Sequence, residues 1–474
     1  MTCPSIIPPY LLAQLAQSDN DLLADRARRS LRHDRALRTG GRFLPPFGSG
    51  PAGTRPAGPP TRAPEPPASP GLDRTISDAQ HQTTTPGVTI RTEGQPAVAD
   101  PAVNEAYDAL GYTWHLYDEV YDRNSIDGKG MPLLATVHYS QSYDNAFWDG
   151  TQMVFGDGDG IVFERFTKSV DVIGHELTHG VTAHTAGLLY RGQSGALNES
   201  VSDVFGSLVK QHHLGQTAEQ ADWLIGAELL APGVHGRALR DMHHPGTAYD
   251  DPRLGKDPQP ADMDHYVDTT SDNGGVHINS GIPNRAFCLA CLEVGGHAWE
   301  TIGPVWYGVL TGADIEADCD FSTFAQLTVD AAASTYGDGS AEHTAVRGGW
   351  ATVGVLEQDG GTTSSARRAA PAPGGPDREM ARPDTEVVLR RTGGFAGITR
   401  ERPFSLGDLP AHDTRNWQQL LAVPTLDEIA AEEGGHPDMF CYSVTCRQAG
   451  VEVTVNEPQL PEAIQALFER TLQG

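Results

Sequence analysis

Residues 170–187 read VDVIGHELTHGVTAHTAG and contain two histidines four positions apart, with a carboxylate next to the first. On a helix, residues four apart share a face, so His175 and His179 can direct two ring nitrogens at one point. Glu176 lies about 100° round the helix, beside that point. This is the pattern of a zinc site with an adjacent base, although a histidine-rich surface helix can produce the same spacing by chance. The chemistry therefore depends on a third ligand elsewhere in the chain.

A candidate third ligand lies in the stretch GALNESVSD, where Glu199 follows His179 by twenty residues. That separation allows a turn and the start of a second, antiparallel helix. Asp203, one helical turn further on the same face, can accept the free N–H of a metal-bound imidazole. A catalytic zinc needs three protein ligands and one open position, and Glu199 completes that set. The alternative is a glutamate that the helix dipole favours in a first helical turn.

The elements that must position these residues change along the chain. Before residue 170 the sequence is turn-rich, with short β-like runs such as ATVHYS and GTQMVFGDGDGIVF, and after it the periodicity is helical. We therefore expect an α+β fold in which a β-rich lobe, about 72–170, precedes a helical lobe, about 171–357. The motif lies at the junction of the lobes, where clefts form.

Two stretches rich in Pro, Gly and Ala interrupt the chain and cannot bury a core, so we interpret them as linkers. The first of the remaining pieces contains 10–38, which reads as one amphipathic helix with an arginine-rich end. The last reads as a small α+β domain with strands, a turn-rich middle and a final helix. The predicted boundaries are 1–43, 44–71 (linker), 72–357, 358–383 (linker) and 384–474.

The composition limits the partners. A formal net charge of −28 over 474 residues argues against nucleic-acid and anionic-membrane partners. The most apolar stretch, FCLACLEVGGHAWETIGPVWYGVL, carries two glutamates and a histidine and is not a membrane span. The opening MTCPSIIPPYLL lacks a basic front, and Pro8 and Pro9 interrupt any apolar helix, so no signal peptide is predicted. A cytoplasmic location, or secretion by a non-standard route, is expected on this basis.

Six cysteines are too few for a disulfide framework in a chain of this size. Cys288 and Cys291 form a C-x-x-C that reads as buried helix packing rather than a redox or metal pair. Cys441 and Cys446 lie five apart in FCYSVTC, and an odd spacing on a regular strand places their side chains on opposite faces. A disulfide between them would need a bulge.

Taken together, H-E-L-T-H and GALNESVSD resemble the thermolysin family of zinc metalloproteases. Further blocks occur in that family's order, namely DNAFWDGTQMVFGDGDG, AGLLYRG, ALRDM and DNGGVHINSGIPNRAF, so the resemblance spans 72–357. It implies a two-lobed thermolysin-like fold and a zinc endopeptidase. It assigns His175, His179 and Glu199 to zinc and Glu176 to the catalytic base. Zinc lowers the pKa of a water that such a base can deprotonate.

The resemblance also implies how the substrate is held. Tyr190 and His277 would stabilise the developing oxyanion, with Asp272 orienting His277. The remaining assignments concern the peptide itself. Substrate would add as a strand to Asn145 and the Ala146 backbone, Arg240 would bind a substrate carbonyl, and Val172 and Leu239 would line a pocket for a bulky hydrophobic residue after the cut bond.

One departure from the family concerns calcium. Members with a paired calcium site use a cluster of carboxylates, and three matching positions here are Lys210, Leu224 and Ala227, leaving Asp171 and Asp222. A lysine ammonium beside Asp171 can replace a cation by direct ion pairing, or it can simply point to solvent. A double calcium site is therefore not expected, and calcium binding is left open.

The two ends carry their own resemblances. PPYLLAQLA is similar to the short propeptide of the protealysin subgroup, which implies that residues 1 to about 70, the propeptide 1–43 with the linker after it, cover the cleft until they are removed. Cys3 is either an unremarkable N-terminal cysteine or a thiolate that caps the zinc. VVLRRTGGFAGITRE, in 384–474, is similar to emfourin, a protein inhibitor of protealysin-type enzymes.

We therefore expect a self-processing precursor of a zinc endopeptidase that acts on proteins or peptides, with its own two ends as partners in cis. A monomer is expected. Family resemblance implies secretion. The alternative is a latent or regulatory protein whose C-terminal domain inhibits proteases in cis or in trans.

Overall fold

The computed structural model describes residues 5–39 and 71–357, and parts of the C-terminal region, namely 385–392, 400–409, 414, 417, 420–421, 440–446, 448, 451–456, 460 and 462–473. The chain forms two compact units, residues 1–361 and 362–474, called here the catalytic unit and the C-terminal unit. Cys3 and, apart from Gly71, both predicted linkers lie outside the described residues. Among the described helices, none is long and apolar enough to cross a bilayer.

Residues 5–39, called here the N-terminal segment, contain two helices, α1 (Pro9–Leu15) and α2 (Asp21–Thr39). The prediction of one helix over 10–38 is wrong. Asn20 is the last residue between the two helices. Its Oδ1 accepts hydrogen bonds from the backbone N–H groups of Leu22 and Leu23, at 3.1 and 3.3 Å. This is the arrangement of a helix N-cap, so Asn20 starts a new helix rather than continuing α1.

The β-rich lobe is built on a five-stranded sheet in the order β2-β1-β3-β5-β4. Neighbours β1/β2 and β5/β4 are antiparallel, and β3 runs parallel to both β1 and β5. Helix α3 begins at Pro101 after the N-cap Asp100, whose side chain accepts from the Ala102 N–H. The short strand β4 forms one edge of this sheet. The bounds are β1 (Arg74–Asp78), β2 (Val88–Thr92), α3 (Pro101–His115), β3 (Leu133–Val137), β4 (Ala146–Trp148) and β5 (Met153–Phe155).

Two buried helices, α4 (Val170–Ala183) and α5 (Gly192–Leu214), join the lobes. They pack backbone to backbone at a pair of glycines. A Cβ on Gly174 would lie 3.1 Å from the Gly206 Cα, and one on Gly206 would lie 2.3 Å from the Asp171 carbonyl oxygen. No side chain fits into that space, so the glycines set how closely the two helices approach.

The helical lobe continues through four small strands and five helices packed around a core that includes the stacked rings of Trp306 and Trp350. Cys288 and Cys291 are buried, unpaired thiols in this core, as the packing interpretation predicts. The bounds are β6 (Leu224–Ile225), β7 (Arg240–Asp241), β8 (Asp250–Asp251), β9 (Gly255–Lys256), α6 (Asp272–Asn279), α7 (Gly281–Val294), α8 (Gly303–Thr311), α9 (Phe321–Tyr336) and α10 (Ala341–Thr352).

The C-terminal unit has an antiparallel sheet in the order β11-β10-β12-β13 and a final helix, which confirms the predicted small α+β domain. Its core contains Trp417 stacked on Phe468. Cys441 and Cys446 lie at the two ends of the regular strand β12 and are not joined by a disulfide. Most of RTGGFAGI lies outside the described residues. The bounds are β10 (Glu386–Thr392), β11 (Arg400–Ser405), β12 (Cys441–Cys446), β13 (Val451–Asn456) and α11 (Glu462–Gln473).

Candidate active site

Three predicted zinc ligands converge between α4 and α5. His175 and His179 of α4 bring their Nε2 atoms to 3.0 Å from each other. Glu199 of α5 places Oε2 at 3.5 Å from the first and Oε1 at 3.4 Å from the second. All three side chains are buried, and they form the one group of three or more candidate ligands found among the described residues.

The other nitrogen of each imidazole is engaged in a hydrogen bond that fixes its proton. His175 Nδ1 lies 2.8 Å from Asp203 Oδ1, and His179 Nδ1 lies 2.8 Å from Asn198 Oδ1. Because these oxygens only accept, each Nδ1 donates, which directs each Nε2 at the space between the two rings. Burial is the largest effect on His179 and lowers its pKa to about 3, so this ring is neutral.

These groups fit a zinc ion. The Nε2 atoms of the two imidazoles face each other at 3.0 Å, and the buried Glu199 Oε2 has no hydrogen-bond partner within the described chain. A cation at this point could accept a lone pair from each of these three groups. Two nitrogens and one carboxylate oxygen are the donor set of a catalytic zinc, which leaves a fourth position open.

Glu176 lies in the same buried region. Its Oε2 accepts a hydrogen bond from the Trp148 backbone N–H at 3.2 Å, whereas Oε1 has no hydrogen-bond partner among the described residues. Burial raises the pKa of Glu176 well above its ordinary value, and the neighbouring Glu199 carboxylate raises it further. The carboxylate can therefore hold a proton more tightly than an exposed glutamate can.

Tyr190 and His277 meet on the other side of Glu199. The Tyr190 hydroxyl donates to Glu199 and lies 3.2 Å from His277 Nε2. His277 Nδ1 donates to Asp272 Oδ1 at 2.6 Å, which fixes the ring orientation. Burial alone would lower the pKa of His277, but the Asp272 and Glu199 carboxylates raise it above its ordinary value.

The start of α6 has the backbone that this arrangement needs. Asp272 itself has a φ of +53°, and Gly274 and Gly275 have φ values of +85° and +75°. A Cβ on Gly274 would lie 3.0 Å from the Gly192 nitrogen. Glycine is favoured at such positions because it adopts positive φ without steric cost. The tight turn lets Asp272 reach both the ring and the backbone N–H of His277.

The cleft beside these groups is filled by residues 5–7 of the N-terminal segment. Ser5 forms an antiparallel bridge with Phe147 of the edge strand β4, and the Ile6 N–H donates to the Ala146 carbonyl at 3.3 Å. The Ile7 N–H donates to Asn145 Oδ1 at 3.0 Å, and Asn145 Nδ2 donates back to the Ile7 carbonyl at 3.4 Å. The segment therefore lies on the sheet edge as an added strand.

Three further predicted site residues, Arg240, Val172 and Leu239, are buried. Arg240 Nη1 donates to the Ile6 carbonyl at 3.4 Å, while its Nε and Nη2 bind both oxygens of Asp203. Val172 and Leu239 are buried and belong to the same apolar cluster as Ile6. Asn145, Ala146 and Arg240, three of the five residues expected to bind substrate, thus all contact residues 5–7.

Helix α2 holds the segment in place through contacts that the sequence reading missed. Asp34 accepts hydrogen bonds from the Tyr143 hydroxyl at 2.5 Å and from Asn145 Nδ2 at 2.9 Å. His33 Nε2 lies 2.8 Å from the Tyr139 hydroxyl, and Arg26 Nη1 donates to a backbone carbonyl of the β-rich lobe. No local sequence pattern around His33 and Asp34 could predict these contacts, because their partners are more than a hundred residues away.

The sequence reading also missed the groups around His179. Asn198 Oδ1 and Ser202 Oγ both lie near its Nδ1, at 2.8 and 3.0 Å. They are four residues apart on α5, so they share a face with each other just as Glu199 does with Asp203. That repeated spacing is the signal that could have found them.

At the positions that match the family's calcium site, the structure has a cluster of ion pairs around a lysine. Lys210 Nζ lies 3.1 Å from Asp171, 2.9 Å from Asp222 and 3.8 Å from Glu228. The lysine therefore points inward, not to solvent, and only a tenth of its side chain is exposed. Leu224 lies in β6 and Ala227 in the following 3-10 turn.

Comparisons with known proteins agree with this site. The profile of the thermolysin metallopeptidase catalytic domain matches residues 73–183, that of its alpha-helical domain matches 186–355, and the Emfourin profile matches 389–472. An extracellular metalloprotease of Pectobacterium carotovorum subsp. carotovorum is 51% identical over 352 residues, which cover 74% of this chain and 96% of that protein. The protease PrtS of Photorhabdus sp. (strain Az29) is 46% identical over 74% of this chain and 91% of its own length.

A solved structure is also similar. The precursor of protealysin, a metalloproteinase from Serratia proteamaculans, is 48% identical and superposes with a TM-score of 0.65 over 74% of this chain and 100% of its own. Fold and site thus define a metalloprotease. The chain belongs to the thermolysin family of metallopeptidases. Its architecture is that of a protealysin-like precursor with an additional C-terminal Emfourin domain.

Proposed function

We propose that this metalloprotease is a zinc-dependent endopeptidase that cuts on the N-terminal side of bulky hydrophobic residues and processes its own precursor. The observation that carries the proposal is the buried convergence of His175, His179 and Glu199, with the Glu176 carboxylate beside them. A scaffold protein has no need for two imidazoles and a carboxylate that converge in a buried site, whereas a catalytic zinc requires such a set.

In the proposed mechanism, His175, His179 and Glu199 hold zinc, which supplies Lewis-acid chemistry that makes water nucleophilic near neutral pH. Glu176 takes the proton from the attacking water and passes it to the leaving nitrogen. Its raised pKa suits both roles, because a weakly basic carboxylate would not retain the proton until the amine leaves. Asp203 acts through His175, keeping that ring in the tautomer that presents Nε2.

Charge that develops on the peptide oxygen needs donors in a dry site. Tyr190 and His277 are proposed for this role, because their hydroxyl and Nε2 atoms lie 3.2 Å apart and border the same space. The raised pKa of His277 favours the protonated ring, which can donate from Nε2 while Asp272 accepts from Nδ1.

We propose that substrates bind as residues 5–7 do, as a strand on β4 with one carbonyl at Arg240. Val172 and Leu239 would then accept the side chain that follows the cut bond, which requires that side chain to be apolar. The presence of Ile6 in the same apolar cluster supports this assignment. Protein and peptide chains are the substrates, and no nucleic-acid partner is proposed for so acidic a protein.

The test is the intact mass over time of the zinc-loaded chain beside its Glu176→Gln variant. The wild type should lose mass through cuts in the 44–71 linker, which release the proposed propeptide (residues 1–43) together with part of the linker. The variant should keep its full mass. Glu119→Gln, which alters an exposed glutamate paired with His115, is the matched control and should process like the wild type. Equal cleavage by the Glu176→Gln chain would overturn the proposal.

The C-terminal unit is proposed to be an inhibitor of this protease class, because its Emfourin match covers residues 389–472. A chain that stops at Glu357 keeps the described catalytic unit, and the matched part of the Pectobacterium relative comprises nearly its whole length. We expect the truncated chain to cleave a peptide substrate faster than the full chain. A purely latent protein would remain inactive in both forms, and inhibition in trans would appear only when the isolated C-terminal unit is added back.

We further propose a secreted, monomeric enzyme. Secretion is proposed because the Pectobacterium relative is named an extracellular metalloprotease. Immunodetection of the Glu176→Gln chain in culture supernatant and in cells tests the location, and sedimentation of the purified chain tests the monomer. Retention in cells, or a dimer mass, would contradict the respective part.

A further inference from the structure

The N-terminal segment does more than cover the cleft, because it runs through the site in a defined register. Ser5, Ile6 and Ile7 each make a backbone contact with a different part of the site. An inhibitory strand could lie on β4 in many registers, or in the reverse direction. The register that occurs therefore carries information about which peptide bond of the segment faces the reactive groups.

The carbonyl of Ser5 faces the proposed oxyanion donor. The Ser5 carbonyl oxygen lies 3.2 Å from His277 Nε2, and His277 is one of the two groups that the mechanism assigns to the developing oxyanion. The neighbouring Ile6 carbonyl is not at that place, since it accepts from Arg240 at 3.4 Å. Among these carbonyls, Ser5 is the one positioned for attack.

The nitrogen of Ile6 faces the proposed base. The Ile6 backbone N–H donates to the Ala146 carbonyl at 3.3 Å, and it lies near enough to the Glu176 carboxylate to act on its pKa, in the lowering direction. A leaving nitrogen must receive a proton from the group that took it from water. Glu176 has this access to the nitrogen of Ile6, and the next amide, that of Ile7, is instead bound to Asn145.

We propose that the Ser5–Ile6 peptide bond is a cleavage site that the enzyme hydrolyses in its own chain. This inference rests on the proposed function, because it uses Glu176 and His277 in the same roles. Ile6 supplies the bulky apolar side chain that the specificity pocket is proposed to require, and it is fully buried. The cut is intramolecular, since the bond already lies in the cleft of the chain to which it belongs.

The reaction is a simple hydrolysis with water as the co-reactant. The water oxygen bonds to the Ser5 carbonyl carbon, and one water proton moves to Glu176. The bond between that carbon and the Ile6 nitrogen then breaks, and the proton on Glu176 goes to the departing nitrogen. The second water proton, left on the new carboxyl group, then passes to the amine, so the products are a carboxylate on Ser5 and an ammonium group on Ile6, with residues 1–5 released as a short peptide.

The cut need not open the cleft. Ile7 keeps both hydrogen bonds to Asn145, and Asp34 of α2 continues to bind Tyr143 and the same asparagine. Leu11, Leu12 and Leu15 of α1 stay buried in the catalytic unit's core. Trimming at Ser5–Ile6 should therefore precede release of the segment, which requires a second cut in the linker.

The experiment labels new N-termini in the full chain after zinc addition and follows them by mass spectrometry. The wild type should yield a chain that begins at Ile6, and Glu176→Gln should not. The first-order rate should be unchanged by a hundredfold dilution, because the reaction is intramolecular. Linker cuts in the wild type without any chain beginning at Ile6 would overturn the inference and leave the proposed function standing. Absence of every cut would overturn both.

Two variants at Ile6 keep the test independent of overall activity. Ile6→Leu should process within a few-fold of the wild type, whereas Ile6→Asp should cut at this bond at least about tenfold more slowly, since a carboxylate does not enter an apolar pocket. Equal rates for the two would overturn the inference.

A further readout needs no turnover. In the Glu176→Gln chain, the amides of Ile6 and Ile7 should be protected from hydrogen exchange, because both donate to the catalytic unit. Those of the exposed loop residues Thr83 and Thr84 serve as unprotected references. Exchange of Ile6 and Ile7 at the rate of the references would show that the register is not held, and would overturn the inference.

Discussion

Helices α4 and α5 carry two buried charged clusters, and these clusters differ in where the positive charge comes from. At one, His175, His179 and Glu199 direct lone pairs at each other. At the other, Asp171 meets the Lys210 ammonium at 3.1 Å. The same helix pair therefore holds one cluster for which we propose an ion from solution and one that is completed by its own side chain.

The difference follows from what each cluster can do. A lysine ammonium neutralises carboxylates, but it offers no open coordination position and no acidified water. Lys210 can therefore replace a cation that only stabilises the fold, and nothing of its kind can replace a catalytic zinc. The cluster around Asp171 is expected to serve stability, and the cluster around His175 to serve chemistry.

The largest effect should come from removing the metal. Dialysis against a chelator should abolish proteolysis by the chain that ends at Glu357, and zinc should restore it. Bound zinc at a thousandfold excess over its Kd should also stabilise the fold by about 4 kcal/mol, seen as a rise in Tm. Calcium is the control ion. A rise in Tm with calcium as large as that with zinc would contradict the proposed difference between the two clusters.

Glu176→Gln should come next. It leaves the three ligands in place and removes the base, so kcat/KM should fall by about 10³-fold while Tm changes little. The check is peptide hydrolysis together with zinc content by elemental analysis. Loss of zinc in this variant would mean that Glu176 belongs to the metal cluster, contrary to its proposed role as base.

Lys210→Met should reduce stability and leave activity nearly unchanged, the opposite of Glu176→Gln. It leaves Asp171 buried without its cation, which should cost about 3 kcal/mol in the free energy of unfolding by urea, with kcat/KM per folded molecule nearly unchanged. Lys168→Met is the matched control, because its partner Glu164 is partly exposed and the pair should contribute under about 1 kcal/mol. Equal losses in the two variants would show that the buried cluster contributes no more than a surface pair does.

Lys210→Glu sharpens the same comparison. It adds a fourth carboxylate near Asp171, Asp222 and Glu228, and calcium should then recover part of the lost stability. Titration of Tm with calcium in the variant and the wild type measures this. A response in the wild type instead would place a calcium site where the lysine now lies.

The smallest effect on stability should come from a third cluster, in which the positive charge belongs to a histidine that can lose its proton. His138 lies between Asp157 and Asp100 with both ring nitrogens 2.8 Å from a carboxylate oxygen, and His81 also approaches Asp157. Hydrogen bonding to Asp157 is the largest cause that raises the pKa of His138, to about 9 from an ordinary value of 6.5. A raised pKa in the folded state stabilises fully below about pH 6.5, and the stabilisation is lost as pH rises through about 9.

His138→Gln should therefore reduce the free energy of unfolding by about 1 kcal/mol at pH 6, after allowance for solvent screening, and by much less above pH 9. Urea unfolding at several pH values gives the difference. His265→Gln, at an exposed histidine paired with Asp262, is the control and should show no comparable pH dependence. A difference between His138→Gln and wild type that grows with pH would contradict the assigned sign.

Much of the metal cluster could be predicted from local spacing. The helix period places His175 beside His179 and Glu199 beside Asp203, so two short stretches indicate four residues of the site. Tyr190, Arg240 and His277 come from separate elements that only the tertiary fold brings together. Their roles came from family resemblance, and periodicity alone would not have found them.

The sequence reading failed where a side chain finds a distant or unexpected partner. Asn20 caps the start of a second helix, a local effect that the apolar pattern of 10–38 concealed. Asp34 binds Tyr143 and Asn145, and Glu228 joins the lysine cluster, although neither position carries a motif. The inward direction of Lys210 was left open because a lysine on a helix can equally extend into water.

The glycine contact between α4 and α5 has a consequence for recognising working enzymes among genome sequences. Gly206 contacts the backbone at Asp171 and His175, so any larger residue there would separate the helix that carries the histidines from the helix that carries Glu199. A homologous gene can keep H-E-x-x-H and the glutamate, and so pass a motif search, yet encode a protein that no longer binds metal. The residue at this position is thus a criterion for telling active homologues from degenerate copies.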